Sequence, residues 1–348
     1  MKFLLNLLSL ASLVATSPLE LRSDPSVELK IEKVGETSIK ATVTSHHGSN
    51  LKLLKLGGIL DDNDVEKANV FSGDNEIEFQ GVYLYLDMGN LPESAFVNLP
   101  AGGTIEKSFE VARFHDLSAG GEFKIEATGF LQYAEGNSTN ITGSIPYESN
   151  LVTNVNGADA LGKLSAFKAE EDLERSKVNR NTCKGSKLTV AKNSLKRCYN
   201  NSKQSAKAAR SGSASRMKEY FKSASSSTRK TVAGVFDSIA KECSSNTAGQ
   251  IFFSCTNTKY CKDHSGVVAY AYGKDTVFCP AWFQQPVNGA CHQGDKASVI
   301  IHEFSHSLKG TKDYNAYGYA ALRRLPAAKN IKHADSYTYF SNAVEVNC

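Results

Sequence analysis

The first half of the chain alternates apolar and polar residues in short runs, a pattern typical of β-strands that bury one face. The clearest runs lie at 27–34, 38–44, 82–86, 105–111 and 123–127. Clusters of Gly, Asn and Asp separate the runs and predict turns. Several short strands at this spacing predict an all-β, sandwich-like antiparallel domain.

From residue 183 onward, apolar positions recur at helical spacing instead. Val232, Phe236 and Ile239 share one helix face, for example, and serine and threonine residues that can cap a helix precede them. Predicted helices cover 187–209, 215–222, 227–243, 295–308 and 334–346, and strand-like runs lie at 250–254, 267–272 and 276–278. The second half is therefore predicted to be mostly helical with a small antiparallel sheet, which makes the chain α+β.

The first 17 residues have the pattern of a secretory signal. Lys2 supplies a positive charge, residues 3–15 are mostly apolar, and small residues follow at 15–17. The apolar run is short for a bilayer span of about 20 residues, and no later stretch is long and apolar enough for one. The sequence predicts a secreted, extracellular protein without a membrane span.

The cysteines are confined to the second half. Residues 1–182 contain none, and residues 183–348 contain eight, without a C-x-x-C pair. An even number in a secreted domain predicts four disulfides. Three N-x-Ser/Thr sequences, which begin at Asn137, Asn140 and Asn200, predict glycosylation.

Charge divides the chain at the same place. Residues 181–348 hold 24 Lys and Arg against 10 Asp and Glu, whereas the rest holds 16 against 26, so the net charge of +4 hides a basic half and an acidic half. Domains of opposite charge attract each other. Chance variation of soluble surfaces explains the division equally well at this stage.

A polar, charged stretch at 168–180 contains no aromatic residue and resembles an exposed connector, where proteolysis concentrates. Arg175, Lys177 and Arg180 are candidate processing sites, although none belongs to a dibasic pair. The predicted organisation is a signal peptide at 1–17, an acidic propeptide at 18–180 and a catalytic domain at 181–348.

Residues 302–306 form an H-E-x-x-H sequence inside a predicted helix and are the candidate metal-binding and catalytic residues. His302 and His306 are four apart, so both imidazoles lie on one face and can bind one metal ion. Glu303 is offset around the helix, where it can hold a water molecule and accept its proton. A catalytic zinc ion also needs a third protein ligand and an open position.

Spacing alone leaves the third ligand open. A metzincin would have histidine at the position of Lys312, and a thermolysin-like enzyme would use a glutamate on a later helix, for which Glu345 is the candidate. Asp313 is closer in sequence, and Gly310 allows the chain to turn back toward the histidines.

The residues after the second histidine resemble a known family. The G-T-K-D segment at 310–313 and the Y-G pair at 317–318 are similar to the G-T-x-D-x-x-Y-G motif of the deuterolysins, the aspzincin family of fungal zinc metalloendopeptidases. The resemblance extends over 183–348, through C-K-G at 183–185, A-D-S-Y at 334–337 and the cysteine spacing. It implies a zincin-like catalytic domain made with a signal and a long propeptide.

The resemblance also implies roles for individual residues. One zinc ion per catalytic domain would be bound by His302, His306 and Asp313, with Glu303 as the general base. The implied disulfides are Cys183–Cys255, Cys261–Cys279 and Cys291–Cys348, with Cys198–Cys243 as an additional pair.

The chain departs from the family pattern near the site. Three residues rather than two separate Asp313 from Tyr317, the candidate donor to the developing oxyanion, and Tyr314 is the substitute. Asp335 is predicted to accept from a ligand imidazole or line the pocket, or else to cap a helix. Thr338 stands where peptidyl-Lys relatives carry an acid, so strict lysine specificity is not expected.

These features together predict a monomeric zinc endopeptidase that hydrolyses internal peptide bonds of proteins and is made as a zymogen. The acidic segment 18–180 would act as inhibitor and folding aid, and its lack of cysteine excludes a cysteine-to-zinc latch. The basic catalytic domain favours acidic or neutral substrates or anionic surfaces, and no nucleic-acid partner is expected. The rival prediction is a basic, non-catalytic effector with a structural zinc ion, which binds anionic surfaces.

Overall fold

The computed structural model describes residues 26–160, 164, 178–179, 181–256 and 258–348. The predicted signal peptide at 1–17 lies outside these residues, as do Arg175, Lys177 and Arg180 of the predicted connector. In the part of the chain that is described, every helix is too short or too polar to span a membrane.

Strands make up the regular structure of the described first half, apart from short 3₁₀ turns. They are β1 (Val27–Lys33), β2 (Ser38–Ser45), β3 (Leu51–Leu54), β4 (Asn69–Ser72), β5 (Asn75–Glu76), β6 (Tyr83–Leu86), β7 (Phe96–Leu99), β8 (Thr104–Glu110), β9 (Glu122–Glu126), β10 (Thr128–Ala134), β11 (Ile141–Glu148) and β12 (Val152–Asn156). The alternating runs of the sequence correspond to β1, β2, β6, β8 and β9, and the other strands are additional.

All of these strands except β6 form three antiparallel sheets, with the orders β1-β2-β8, β11-β10-β3-β7 and β12-β9-β4-β5. Their inward side chains share one core, in which Ile39, Leu53 and Ile125 come from different sheets and are fully buried. Irregular registers within the β10–β11 and β12–β9 pairs interrupt the ladders. The predicted sandwich is thus replaced by three short sheets around a common core.

Helices dominate the described second half. They are α1 (Ser186–Ser211), α2 (Ala214–Phe221), α3 (Ser226–Cys243), α4 (Lys259–Asp263), α5 (Pro280–Gln284), α6 (Lys296–Lys309), α7 (Tyr319–Leu322), α8 (Ala327–Asn330) and α9 (Ala334–Val346). The five helices predicted from the sequence begin and end within two residues of α1, α2, α3, α6 and α9.

The long helices pack around an aromatic core. Helix α1 lies against α3, α6 and α9, and the Phe340 ring packs against Phe221 and Phe236, with centroids 5.4 and 5.7 Å away. Four disulfides tie this half together, in the pairing implied by the family resemblance: Cys183–Cys255, Cys198–Cys243, Cys261–Cys279 and Cys291–Cys348. The helix that carries the H-E-x-x-H sequence, α6, is held inside this frame.

A fourth sheet joins the two halves. It contains β13 (Phe252–Ser254), β14 (Val267–Tyr272) and β15 (Asp275–Phe278), in the order β13-β15-β14-β6. Strand β13 pairs with β15 in parallel, so the sheet is mixed rather than antiparallel as predicted. The chain reverses direction between β13 and β14, through α4, and reverses again between β14 and β15. Strands β13 and β15 therefore run in the same direction.

The outer strand of this sheet, β6, comes from the first half. It pairs antiparallel with β14, with Leu84 opposite Tyr270. The sheet therefore crosses from the acidic half to the basic half, beside α6.

Candidate metal centre and active site

Helix α6 presents the two histidines from a firmly fixed position. Asp295 caps its first turn by accepting from the backbone of Ala297 and Ser298 at 2.9 and 2.7 Å. Gly310 ends the helix in the left-handed conformation, with φ at 60°. The helix is buried from Lys296 to His306, so His302 and His306 cannot swing away from their common face.

Three nitrogen and oxygen atoms converge beside this face. The Nε2 atoms of His302 and His306 are 3.0 Å apart. Asp313 Oδ1 lies 3.2 Å from the first and 3.3 Å from the second. The turn at Gly310 thus returns the Asp313 carboxylate to the histidines, and the three atoms form a nearly equilateral triangle.

The triangle fits a zinc ion. Ligand atoms about 2.0–2.1 Å from zinc, at tetrahedral angles, lie about 3.3 Å from each other. Asp313 Oδ1 is buried without a hydrogen-bond partner among the described residues, so its remaining lone pairs are directed at the centre of the triangle. Two imidazoles and a carboxylate are a donor set that zinc accepts readily.

The outer nitrogens of both histidines are held in place. Asp335 Oδ1 lies 2.9 Å from His302 Nδ1, and its other oxygen accepts from the backbone N–H of Gly318 at 2.7 Å. The carbonyl oxygen of Thr311 lies 2.6 Å from His306 Nδ1. These contacts direct both Nε2 atoms to the shared point. The sequence pointed to this role for Asp335, whereas Thr311 and Gly318 were parts of the family motif without an assigned role, because these two contacts are made by their backbone atoms.

The electrostatics of the cluster favour positive charge at its centre. Burial acts to raise the pKa of Asp313, but the neighbouring imidazoles, His306 foremost, hold it well below its usual range. Burial also acts to lower the pKa of His302, but Asp313 and Asp335 together raise it well above its ordinary value. A divalent cation supplies this positive charge in place of protons.

Glu303 lies beside the cluster without joining it. Its side chain is fully buried, and neither carboxylate oxygen has a hydrogen-bond partner among the described residues. Burial raises the pKa of Glu303 well above its usual value. A carboxylate buried without a partner is costly to the fold, and a raised pKa suits a group that must accept and return a proton.

The two candidate tyrosines are placed differently. The Tyr317 hydroxyl lies 3.4 Å from Asp313 Oδ2 and 3.3 Å from the carbonyl oxygen of Gly57, so the longer spacing after Asp313 still brings it to the site. Tyr314 lies instead beneath the Lys329 ammonium, 5.3 Å from its ring centroid, in a separate small apolar cluster. Of the two, Tyr317 is the one beside the ligand cluster.

The first half covers the cluster through β6. The backbone N–H of Leu84 donates to Asp313 Oδ2 at 3.3 Å. The Tyr83 ring stacks on His306, with centroids 4.2 Å apart, and the Tyr85 ring meets His302 edge-on at 5.0 Å. Strand β6 therefore lies directly against the three clustered residues.

Opposite charges meet next to the cluster. Lys312 Nζ lies 2.6 Å from Glu66 and 2.5 Å from Glu76, and the side chains of Lys312 and Glu66 are each only 13% exposed. Both acids belong to the acidic half and Lys312 to the basic half. These ion pairs of Lys312 with Glu66 and Glu76 connect the acidic half to the basic half.

The thermolysin-like alternative for the third ligand does not fit the geometry. Glu345 accepts from Arg197 and Asn201, both at 2.6 Å, near the far end of α9. Among the described residues, the buried group with metal-binding spacing is His302, His306 and Asp313. Asn137, Asn140 and Asn200 are exposed, so each predicted glycosylation site is accessible.

Comparison with known proteins gives the family. The sequence model of the deuterolysin metalloprotease (M35) family matches residues 2–348. Neutral protease 2 homologs from Colletotrichum graminicola and Phaeosphaeria nodorum are 38% and 40% identical, over the whole of both chains. A solved zinc peptidase from Grifola frondosa is 26% identical in sequence, with a TM-score of 0.40. The match covers 46% of this chain and 97% of the Grifola frondosa chain.

A match of this extent includes the β-rich first half as well as the metal centre. The rival prediction of a non-catalytic effector does not agree with a family of proteases. The chain therefore belongs to the deuterolysin metalloprotease family and is a metalloendopeptidase.

Proposed function

We propose that the chain is the precursor of a secreted zinc endopeptidase whose catalytic domain, residues 181–348, hydrolyses internal peptide bonds of proteins. The observation that carries the proposal is the triangle of His302, His306 and Asp313 with a buried, unpartnered Glu303 at its side. A structural metal site has no use for such a carboxylate.

The three ligand residues would hold one zinc ion per catalytic domain. When bound, zinc polarises the scissile carbonyl and lowers the pKa of a water molecule toward about 7. Glu303 accepts the proton of the attacking water and passes it to the leaving amine. Asp335 keeps the His302 imidazole oriented through its 2.9 Å contact with Nδ1.

Tyr317 is the proposed donor to the oxyanion. Its hydroxyl already lies 3.4 Å from Asp313 Oδ2, on the side of the cluster that faces the first half. When Gly57 no longer lies against it, this hydroxyl becomes available to the negative charge that develops on the scissile carbonyl oxygen.

The first half is proposed to be an inhibitory propeptide. Strand β6 pairs with β14 as an added substrate strand would, and it covers both ligand histidines. Activation then requires a cut in the connector before residue 181, followed by release of residues 18–180. The same interface would help the second half to fold.

The environment proposed for the enzyme is extracellular. Four disulfides, three exposed glycosylation sequences and the leader-like residues 1–17 support secretion. The excess of 14 basic residues over 181–348 favours acidic or neutral protein substrates and a rate that depends on salt. A monomer is sufficient, because the cluster is built from one chain.

The test is hydrolysis of casein by the processed enzyme, with the zinc content of each preparation measured. Wild type is expected to bind zinc and to lose activity with a chelator. Glu303→Gln is expected to bind zinc but to be slower by about 10²–10⁴-fold. If Glu303→Gln binds zinc and cleaves casein like wild type, the mechanism is wrong. If wild type binds zinc and cleaves nothing, the endopeptidase proposal is wrong.

A further inference from the structure

Lys312 directly precedes the proposed ligand Asp313, and the second half fixes its backbone. Its N–H donates to the carbonyl oxygen of Lys332 at 2.7 Å, and its carbonyl oxygen accepts from the N–H of Ala334 at 3.1 Å. Ala334 is the first residue of α9. These contacts hold the backbone of Lys312 through residues of the second half alone.

The side chain of Lys312, by contrast, is paired with the first half. Nζ lies 2.6 Å from Glu66 and 2.5 Å from Glu76, and the side chains of Lys312 and Glu66 are each 13% exposed. Among the described residues, these are the two acids that form ion pairs with Lys312. An ammonium group that is largely withdrawn from water needs such partners. Release of the first half removes both of them.

The Lys312 side chain and a proposed zinc ligand line the same cavity. The cavity has a volume of about 640 Å³, and its walls include His306, Tyr83 and Lys312. Three more lysines of the second half line it, and all are exposed: Lys274, Lys309 and Lys332. The acids in its lining, Glu76 and Glu78, both belong to the first half. Among the described residues, the second half therefore contributes positive charge and no carboxylate to this cavity.

The direction of β6 indicates which part of a substrate would reach the cavity. Strand β6 runs antiparallel to β14, with Tyr83 opposite Ala271, and the Tyr83 ring stacks on His306 at 4.2 Å. The residues just before Tyr83, at 79–81, line the cavity. A substrate strand that pairs with β14 in the direction of β6 would have its scissile bond beside the ligand histidines. The residues before that bond would then pass along the cavity.

We propose that Lys312 forms a binding site for an acidic side chain of the substrate, a few residues before the scissile bond, and that Glu66 and Glu76 occupy this site in the precursor. The assignment rests on the endopeptidase function proposed above. It adds a substrate class, namely peptides with Glu or Asp on the N-terminal side of the cleaved bond. The hydrogen bond between an ammonium and a carboxylate group is charge-assisted, and it is stronger than one between neutral groups.

The test uses full-length chains from which the first half has been released after cleavage of the connector. Mass spectrometry first locates a bond that zinc-loaded wild type cuts in casein. Peptides that span this bond then carry Glu, Gln or Lys at each of the four preceding positions in turn. At one or more of these positions, kcat/KM is expected to be about tenfold higher for Glu than for Gln, and lower for Lys than for Gln.

Lys312→Gln removes the charge of the site, and its control, Lys196→Gln, removes the same charge from an exposed position on α1. Lys312→Gln is expected to bring the ratio of kcat/KM for Glu and Gln peptides close to one, whereas Lys196→Gln keeps the wild-type ratio. Lys312→Glu is expected to reverse the order, so that Lys is preferred over Glu. The zinc content of each variant reports whether its metal site is intact.

Three results would overturn the site and leave the endopeptidase function intact. The first is a wild type that cleaves the Glu, Gln and Lys peptides alike. The second is a zinc-loaded Lys312→Gln variant with the wild-type ratio of Glu to Gln. The third is an equal loss of this ratio in Lys196→Gln, which would assign the preference to the net charge of the second half. A zinc-loaded wild type that does not cleave casein overturns both proposals.

Discussion

The acidic first half and the basic second half of the chain are stabilised in different ways. The first relies on strand pairing and one apolar core, whereas the second adds four disulfides to its helices. No disulfide joins the halves, since every cysteine follows residue 182. Disulfides are thus restricted to the half that is proposed to persist, and the half that is proposed to leave is held by non-covalent contacts.

The largest expected difference between the halves is in metal binding, because all three proposed zinc ligands lie in the second half. Asp313→Ala removes one of three ligand atoms, so it is expected to abolish bound zinc and activity in the processed enzyme, measured by metal analysis and casein hydrolysis. Glu345→Ala, which removes an acid paired with Arg197 and Asn201, is expected to keep both. Zinc loss in Glu345→Ala with zinc retained in Asp313→Ala would reverse the assignment.

A disulfide variant separates the stabilities of the halves. The Cys198–Cys243 bond closes a loop between positions 45 residues apart, so replacing both cysteines by serine is expected to lower the free energy of unfolding of the second half by about 4 kcal/mol. Chemical denaturation, followed by aromatic signals for the second half and strand signals for the first, measures it. Equal loss in both halves would show that they do not unfold separately.

The first half should instead be sensitive to acid. Burial lowers the pKa of His115 from 6.5 to about 4, so the folded half binds fewer protons than the unfolded chain between these values. Its stability is full above pH 6.5 and is lost as the pH falls toward 4, by on the order of 3 kcal/mol.

His115→Gln is expected to remove this pH dependence, and His46→Gln, at an exposed site, to keep it. Unfolding midpoints between pH 4 and pH 7 measure both variants. If His115→Gln loses as much stability as wild type between pH 7 and pH 4, the acid sensitivity arises from groups other than His115.

The smallest effect concerns the contact between the halves. Glu66→Gln weakens one of the two charge pairs of Lys312, so the first half, once cut, is expected to bind the second less tightly by about 1–2 kcal/mol. Dilution of the cut complex until activity appears measures this affinity. The control is Glu106→Gln, which removes an exposed pair with Lys40 inside the first half, and a comparable loss there would contradict the role of Lys312.

Sequence patterns predicted the second half better than the first for physical reasons. The boundaries of α6 follow from the Asp295 cap and the Gly310 turn, which are local signals. Strand β10 was missed because it is buried along most of its length and does not alternate, and β11 contains Pro146 and Gly143. Buried strands without alternation give no period-two signal.

The candidate active site was also predicted only as far as local sequence motifs reach. His302, Glu303 and His306 follow from one short motif, and Asp313 required the family resemblance. The position of β6 could not be predicted, because the pairing of Leu84 with Tyr270 joins distant segments and leaves no local pattern. The contact of the Tyr85 ring with His302 and that of the Thr311 carbonyl with His306 likewise depend on the folded structure.

The most direct test of the proposed inhibition measures casein hydrolysis by the zinc-loaded, full-length chain before and after its first half is removed. Removal follows cleavage at a protease site introduced into the connector at 168–180. The intact chain is expected to bind zinc but to be inactive, because β6 covers His302 and His306, and activity is expected to appear once the released first half is gone. Full activity of the intact, uncut chain would contradict the proposed inhibition.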